Sequence, residues 1–146
     1  MKGNRAELNR FLVEVFDEIL KTEEESLAGS FSDLSLRELH LIEEVCRAED
    51  EARDNRATAI AAAQRVTAGT LTTAVSLLER KGYLERLSLI HISEPTEKAR
   101  AADQVHAAFH REMVDEILKT LSDQEAQVLV RALGSLTAFF REKYEA

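Results

Sequence analysis

Apolar residues fall at helical spacing along most of the chain. Leu8, Phe11, Leu12, Val15, Phe16, Ile19 and Leu20 form a wide apolar stripe, which predicts a first helix over about residues 6–27. Gly29 and Ser30 end it. A second helix is expected from Ser35, where Ser35-x-x-Glu38 reads as a capping box. Leu36, Leu39, Ile42 and Val45 supply its core face. The charged stretch over residues 48–56 reads as a solvated connector. A long helix is predicted from near Thr96 to about Leu121, and Ser122-x-x-Glu125 makes a second capping box that opens the last helix. That helix carries Val128, Leu129, Ala132, Leu133, Leu136, Phe139 and Phe140. No internal repeat or low-complexity segment interrupts the pattern.

Between these helices, residues 57–86 (ATAIAAAQRVTAGTLTTAVSLLERKGYLER) change character. They read as a short helix, a tight turn, a longer helix and the first strand of a hairpin. Thr67 is a good N-cap for the longer helix, and Gly82 is its C-terminal stop. Leu71, Ala74 or Val75, and Leu78 form the inner face. The outer face starts small and hydroxylated, with Ala68, Gly69, Thr70, Thr72, Thr73 and Ser76. A helix that is small at its N-terminal end can approach a base edge closely, so the block reads as a helix-turn-helix recognition unit. Thr67, Gly69, Thr70, Thr72, Thr73 and Ser76 are expected to face the major groove. Arg65, Arg80, Lys81 and Arg86 are the phosphate candidates, with Arg80 and Lys81 open to a second reading as merely solvated helix-end charges.

The length of 146 residues and the 45% apolar content suit one domain, or a reader module with attached oligomerisation helices. The expected fold class is mainly α: a winged helix-turn-helix over residues 35–96, flanked by dimerisation helices in residues 1–34 and 97–146. Three amphipathic helices outside the reader carry more apolar surface than a small monomer covers, so a homodimer is expected. A two-fold dimer would set its recognition helices about 34–36 Å apart and read a pseudo-palindrome. The net charge of −8 argues superficially against double-stranded DNA as a partner. Residues 57–86 nevertheless carry four basic side chains against Glu79 and Glu85, a local balance of +2. The acidity sits in Glu23–Glu25 and Glu49–Glu51. A locally basic patch still binds phosphate, with a salt-sensitive affinity. No stretch approaches the roughly 18 apolar residues of a membrane helix, and no signal peptide precedes the first helix, so no membrane partner and a cytoplasmic location are expected. The single cysteine, Cys46, lies beside Ile42 and Val45 and reads as a small buried hydrophobe.

The chain resembles the MarR family of bacterial transcriptional regulators. The residues that carry the likeness are VTAGTLTTAVSLLERKGYLER at 66–86, TEKAR at 96–100 and LSDQE at 121–125. Within that family it is most similar to the FabT type of fatty-acid-synthesis repressor, through FLVEVFDEIL at 11–20, LRELHLIEEV at 36–45 and VHAAFHREMV at 105–114. The resemblance implies a homodimeric repressor whose ligand binds between the reader and the dimerisation helices. For FabT-like members it implies a long-chain acyl group on acyl carrier protein as the co-regulator.

The wing departs from the family pattern. Arg86 is followed by LSLIHISEPT, with no Asp-Arg tip and no Gly, Asn or Asp turn to return a strand, so a truncated or abnormal wing is expected. This decapeptide, residues 87–96, is similar to an in-frame translation of a sequencing-library adapter. On that reading the natural wing has been lost; on the other, the wing is natural and degenerate. Either way, DNA binding would be impaired, and a dimeric interaction protein is a further alternative.

His106 and His110, spaced i,i+4, share a helix face. With His40 and Glu24 they could make a tetrahedral zinc site, an arrangement that resembles zinc-responsive MarR members. The competing reading is a polar patch on a cavity or seam, with no cofactor. No nucleophile elbow, phosphate loop or HExxH is present, and an enzyme is not expected.

Overall fold

The computed structural model describes residues 4–53, 56–86 and 94–144. Six helices and one small sheet follow in the order α1 (Arg5–Ser26), α2 (Leu36–Asp50), α3 (Ala57–Gln64), α4 (Ala68–Arg80), β1 (Leu84–Glu85), β2 (Glu94–Pro95), α5 (Glu97–Leu118) and α6 (Asp123–Tyr144). The chain divides into two compact units, Met1–Phe109 and His110–Ala146. No described helix is long and apolar enough to cross a membrane.

The first unit is built on the inner faces of α2, α3 and α4. Leu39, Ile42, Val45 and Cys46 of α2 are buried with Ile60 and Ala61 of α3 and with Leu71, Val75 and Leu78 of α4. Tyr83, Leu84, Ala99 and Ala102 belong to the same core, so the start of α5 packs into the reader. Burying a Leu or Ile side chain contributes roughly 1.5–3 kcal/mol, which makes this interlocked set the main support of the unit. Caps set the boundaries. The Ser35 hydroxyl accepts from the Glu38 N–H at 3.1 Å while the Glu38 carboxylate accepts from the Ser35 N–H at 2.9 Å, the full capping box at α2. Thr67 caps α4 by accepting from the Thr70 N–H at 3.1 Å. Arg65 takes the left-handed conformation (φ 56°) that turns the chain between α3 and α4. Gly82 (φ 88°) turns it after α4, a conformation that L side chains rarely adopt.

β1 and β2 pair antiparallel, Leu84 opposite Pro95 and Glu85 opposite Glu94. Among the described residues the wing is thus a hairpin with two paired residues on each strand, truncated as the sequence implied. The absence of a turn signal nevertheless misled on one point, because the chain does return to pair. The reason lies outside the turn: the Thr96 N–H donates to the Tyr83 carbonyl at 3.0 Å and its hydroxyl to the Gly82 carbonyl at 2.7 Å. These bonds fasten the returning chain to the end of α4. The apolar segment 87–93, including most of the adapter-like decapeptide, lies outside the described residues.

On α1 the apolar stripe stays exposed: Leu8, Phe11, Val15, Phe16 and Leu20 are each about half accessible. Only Glu23 of that helix is buried, followed by Leu27 after its end. The second unit comprises the end of α5 and α6, with the Ser122–Glu125 capping box formed as expected (2.8 and 3.2 Å). No described residue of α6 is buried, and Val128, Val130, Leu133, Phe139 and Phe140 are exposed.

Candidate nucleic-acid interface

The outer face of α4 follows from its phase. With Leu71, Val75 and Leu78 buried, the residues that rotate outward are Gly69, Thr72, Thr73, Ser76 and Arg80. Gly69, Thr72, Thr73 and Arg80 are exposed and Ser76 is partly so. A Cβ added at Gly69 would meet nothing within 4 Å, so packing inside the chain does not require a glycine there.

The hydroxyl hydrogens are largely committed. Thr72 donates to the Ala68 carbonyl at 2.9 Å and Thr73 to the Gly69 carbonyl at 3.1 Å. The Thr67 hydroxyl donates to the Thr70 hydroxyl at 2.9 Å. At Thr72 and Thr73 the face therefore offers methyl groups and oxygen lone pairs outward. Methyl groups suit the thymine C5-methyl, and acceptors suit the exocyclic amino groups of adenine and cytosine.

The four cations expected at phosphates differ in their surroundings. Arg80 is exposed and has no ion-pair or hydrogen-bond partner among the described residues, and Arg65 is exposed at the turn. Lys81 instead points back into the unit. It donates to both Glu38 carboxylate oxygens at 2.9 and 3.1 Å and also to the Asp33 carbonyl. Arg86 pairs with Glu79 at 2.9 Å. Around Lys81 a small polar network fixes the end of α4. The Tyr83 hydroxyl donates to Asp33 at 2.8 Å, and the Lys98 ammonium sits 4.4 Å from the Tyr83 ring centre. That hydrogen bond holds the Asp33 carboxyl below its ordinary range, and burial followed by the same bond pushes the Tyr83 phenol up.

A second cluster of titratable groups lies where α1, α2 and α5 meet. His106 is buried, with Nδ1 2.6 Å from Glu43 and Nε2 3.1 Å from Glu23. His40 lies 3.8 Å from the other Glu23 oxygen, and the two imidazole centres are 5.6 Å apart. Hydrogen bonding to Glu43, and secondarily to Glu23, raises the His106 pKa against the opposing effect of burial. The same bond lowers that of Glu43. His110 follows His106 by one turn of α5. The carboxylate expected from Glu24 comes from Glu23, because one residue along a helix is a rotation of about 100° and Leu27, four residues on, fixes Glu23 inward. Glu24 is exposed. Glu43, which the sequence reading did not single out, shares an α2 face with His40, and its i,i+3 spacing was the available signal. Cys46 is buried as expected, and burial pushes its thiol up to about 12, far from a reactive thiolate.

A scan against protein-family models gives no match, and a search of curated proteins gives none. Solved structures do match. The Streptococcus pneumoniae FabT structure, solved in complex with DNA, is 31% identical, covers 94% of this chain and 98% of its own, and superposes with a TM-score of 0.82. S. aureus MepR, also solved with DNA, is 17% identical over 89% of this chain and 94% of its own, TM-score 0.69. A MarR family protein from Bacillus stearothermophilus is 19% identical over 96% and 97%, TM-score 0.69. The last two share the fold; the identity and coverage with FabT go further, and the chain belongs to the MarR family of transcription regulators.

Proposed function

We propose that this protein is a sequence-specific DNA-binding repressor, not an enzyme, and that it acts as a cytoplasmic homodimer on a pseudo-palindromic operator. The observation that carries the reading is the outer face of α4: Gly69, Thr72, Thr73 and Ser76 aligned on a helix whose other face is locked into the core. Such a face suits base-edge contact, with Thr67 and Thr70 shaping the helix start. Arg65 and Arg80 supply phosphate contacts, while Lys81 and Arg86 hold the reader together. The likeness to FabT, whose structure was solved with DNA, supports the assignment. The exposed apolar faces of α1 and α6 support a dimer, since both chain ends would otherwise leave large apolar side chains in water. Selection of duplexes from a random library by the purified protein tests the reading. A two-fold consensus is expected; recovery of unrelated sequences would remove it, and leave the dimeric interaction protein.

The FabT likeness also carries the proposal that acyl-acyl carrier protein sets operator affinity. Gel shifts with acylated and unacylated carrier protein test it, with tighter binding expected from the acylated form alone.

A zinc response is a second reading, favoured by the meeting of Glu23 and His106. The donor set fits a divalent ion: Glu23 and the His106 Nε2 already face one another, and Glu43 on Nδ1 would fix the tautomer from behind. Bound zinc would act as a charge that neutralises Glu23 and ties α1 to α5. Zinc titration of operator binding checks this. No zinc effect, or an unaltered effect in His106→Ala, would remove it.

A further inference from the structure

The reader's cations raise a question of charge balance. Of the four basic residues in 57–86, Lys81 and Arg86 are neutralised by Glu38 and Glu79. The missing positive charge is found outside that block, on α2. Arg37 is exposed and has no hydrogen-bond or ion-pair partner among the described residues. Its position is set by the Ser35–Glu38 capping box that spans it, which fixes the first turn of α2. There it lines a shallow cleft together with Gln64 of α3 and Thr70 of α4. The cleft floor is apolar, from Leu41, Val66 and Leu71, so Arg37 stands at the rim beside the first turn of the recognition helix.

The acidic group that shares the cleft does not cancel it. Glu38 also lines the cleft, yet its carboxylate already accepts from the Lys81 ammonium at both oxygens and from the Ser35 N–H. The rim thus keeps one uncompensated guanidinium next to the helix end that enters a major groove in helix-turn-helix proteins. A groove is bordered by phosphates, and a guanidinium matches a phosphate in a bidentate manner.

We propose that Arg37 is a phosphate-binding residue of the reader, gripping the backbone that borders the groove occupied by the first turn of α4. This deepens the DNA-binding reading and rests on it. It enlarges the reader beyond the helix-turn-helix to the N-terminal turn of α2. Arg37 carries no base information; it sets register and affinity on any duplex.

The test is fluorescence anisotropy with a duplex selected by the wild-type protein and with a random-sequence duplex, each over a range of salt. Arg37→Gln is expected to bind both duplexes about tenfold more weakly, with the log–log salt slope shallower by ~0.9 per protomer bound. Arg37→Lys should restore most of the slope, because it restores the charge. Thermal midpoints of all three proteins should agree, since no partner within the chain is lost. An Arg37→Gln protein with wild-type affinity and slope would overturn the role of Arg37 while leaving the DNA reading intact. A loss confined to the selected duplex would also overturn it, by making Arg37 a base reader. A wild-type protein that shows no salt-dependent binding to either duplex would instead overturn the DNA reading itself.

Discussion

Gly69 is the residue at which packing and function separate most cleanly. Nothing in the chain lies within 4 Å of a Cβ built there, and a glycine inside a helix is destabilising by roughly 0.5–1 kcal/mol relative to alanine. Gly69→Ala should therefore raise the thermal midpoint and at the same time weaken operator binding. A substitution that stabilised the protein without touching DNA affinity would place Gly69 outside the interface. Lys81 and Arg80 give the opposite contrast. Lys81→Ala leaves the largely buried Glu38 carboxylate without its cation, and about 1–2 kcal/mol of stability should be lost. Arg80→Ala should leave the midpoint unchanged and reduce the salt slope by ~0.9 per protomer. Chemical denaturation and salt titration of the two variants check both halves. At this scale the sequence was legible where the signal is local: Thr67 caps α4, and Ser35 with Glu38 caps α2, within four residues of each other. It was not legible where partners are distant. Lys81 and Glu38 are 43 positions apart, and nothing in the chain order announces that the cation faces inward.

Helix phase governs what happens at the scale of elements. α1, α2 and α5 bring Glu23, Glu43 and His106 together, and the one-residue distinction between Glu23 and Glu24 depends on the rotation of α1 against a core that the sequence does not display. The spacing of His106 and His110 was readable; which carboxylate meets His106 was not. The cluster has a pH consequence. The pKa of His106 is raised above its ordinary 6.5, so its contribution to stability is full below that value and disappears as pH rises through the folded-state value. Glu43 is lowered from 4.5, so its contribution is present above that value and is lost as pH falls through the folded-state value. Metal-free protein should therefore show a decline in stability above about pH 6.5 that is missing in His106→Gln. Parallel pH–stability curves for the two proteins would contradict the assignment of the shift to His106. The wing follows the same lesson: turn residues predicted no return, yet Thr96 draws the chain back by bonding to the Gly82 and Tyr83 carbonyls.

For the whole molecule, the apolar pattern gave the helices and left their partner open. Phe16 of α1 and Leu133 of α6 are 52% and 46% exposed, values more at home in an interface than in water. Phe16→Glu with Leu133→Glu should yield a monomer in sedimentation that keeps its helical signal and loses cooperative operator binding. The wing belongs to this scale too, because on the proposed reading it would extend the footprint of the reader along the duplex. A version with a basic wing restored in place of residues 87–96 should bind more tightly and with a steeper salt slope, as minor-groove and phosphate contacts are added. Equal affinity and slope would show that the short hairpin already suffices.

The function proposed for this protein depends on whether the threonine face of α4 reads bases. The most direct measurement is the ratio of affinities for a selected two-fold duplex and a random duplex, for the wild-type protein and for Thr72→Ala/Thr73→Ala. We expect strong preference in the wild-type protein. In the double variant the preference should collapse by about 1–3 kcal/mol per lost base contact, with little change on random DNA. An unchanged ratio would contradict the account.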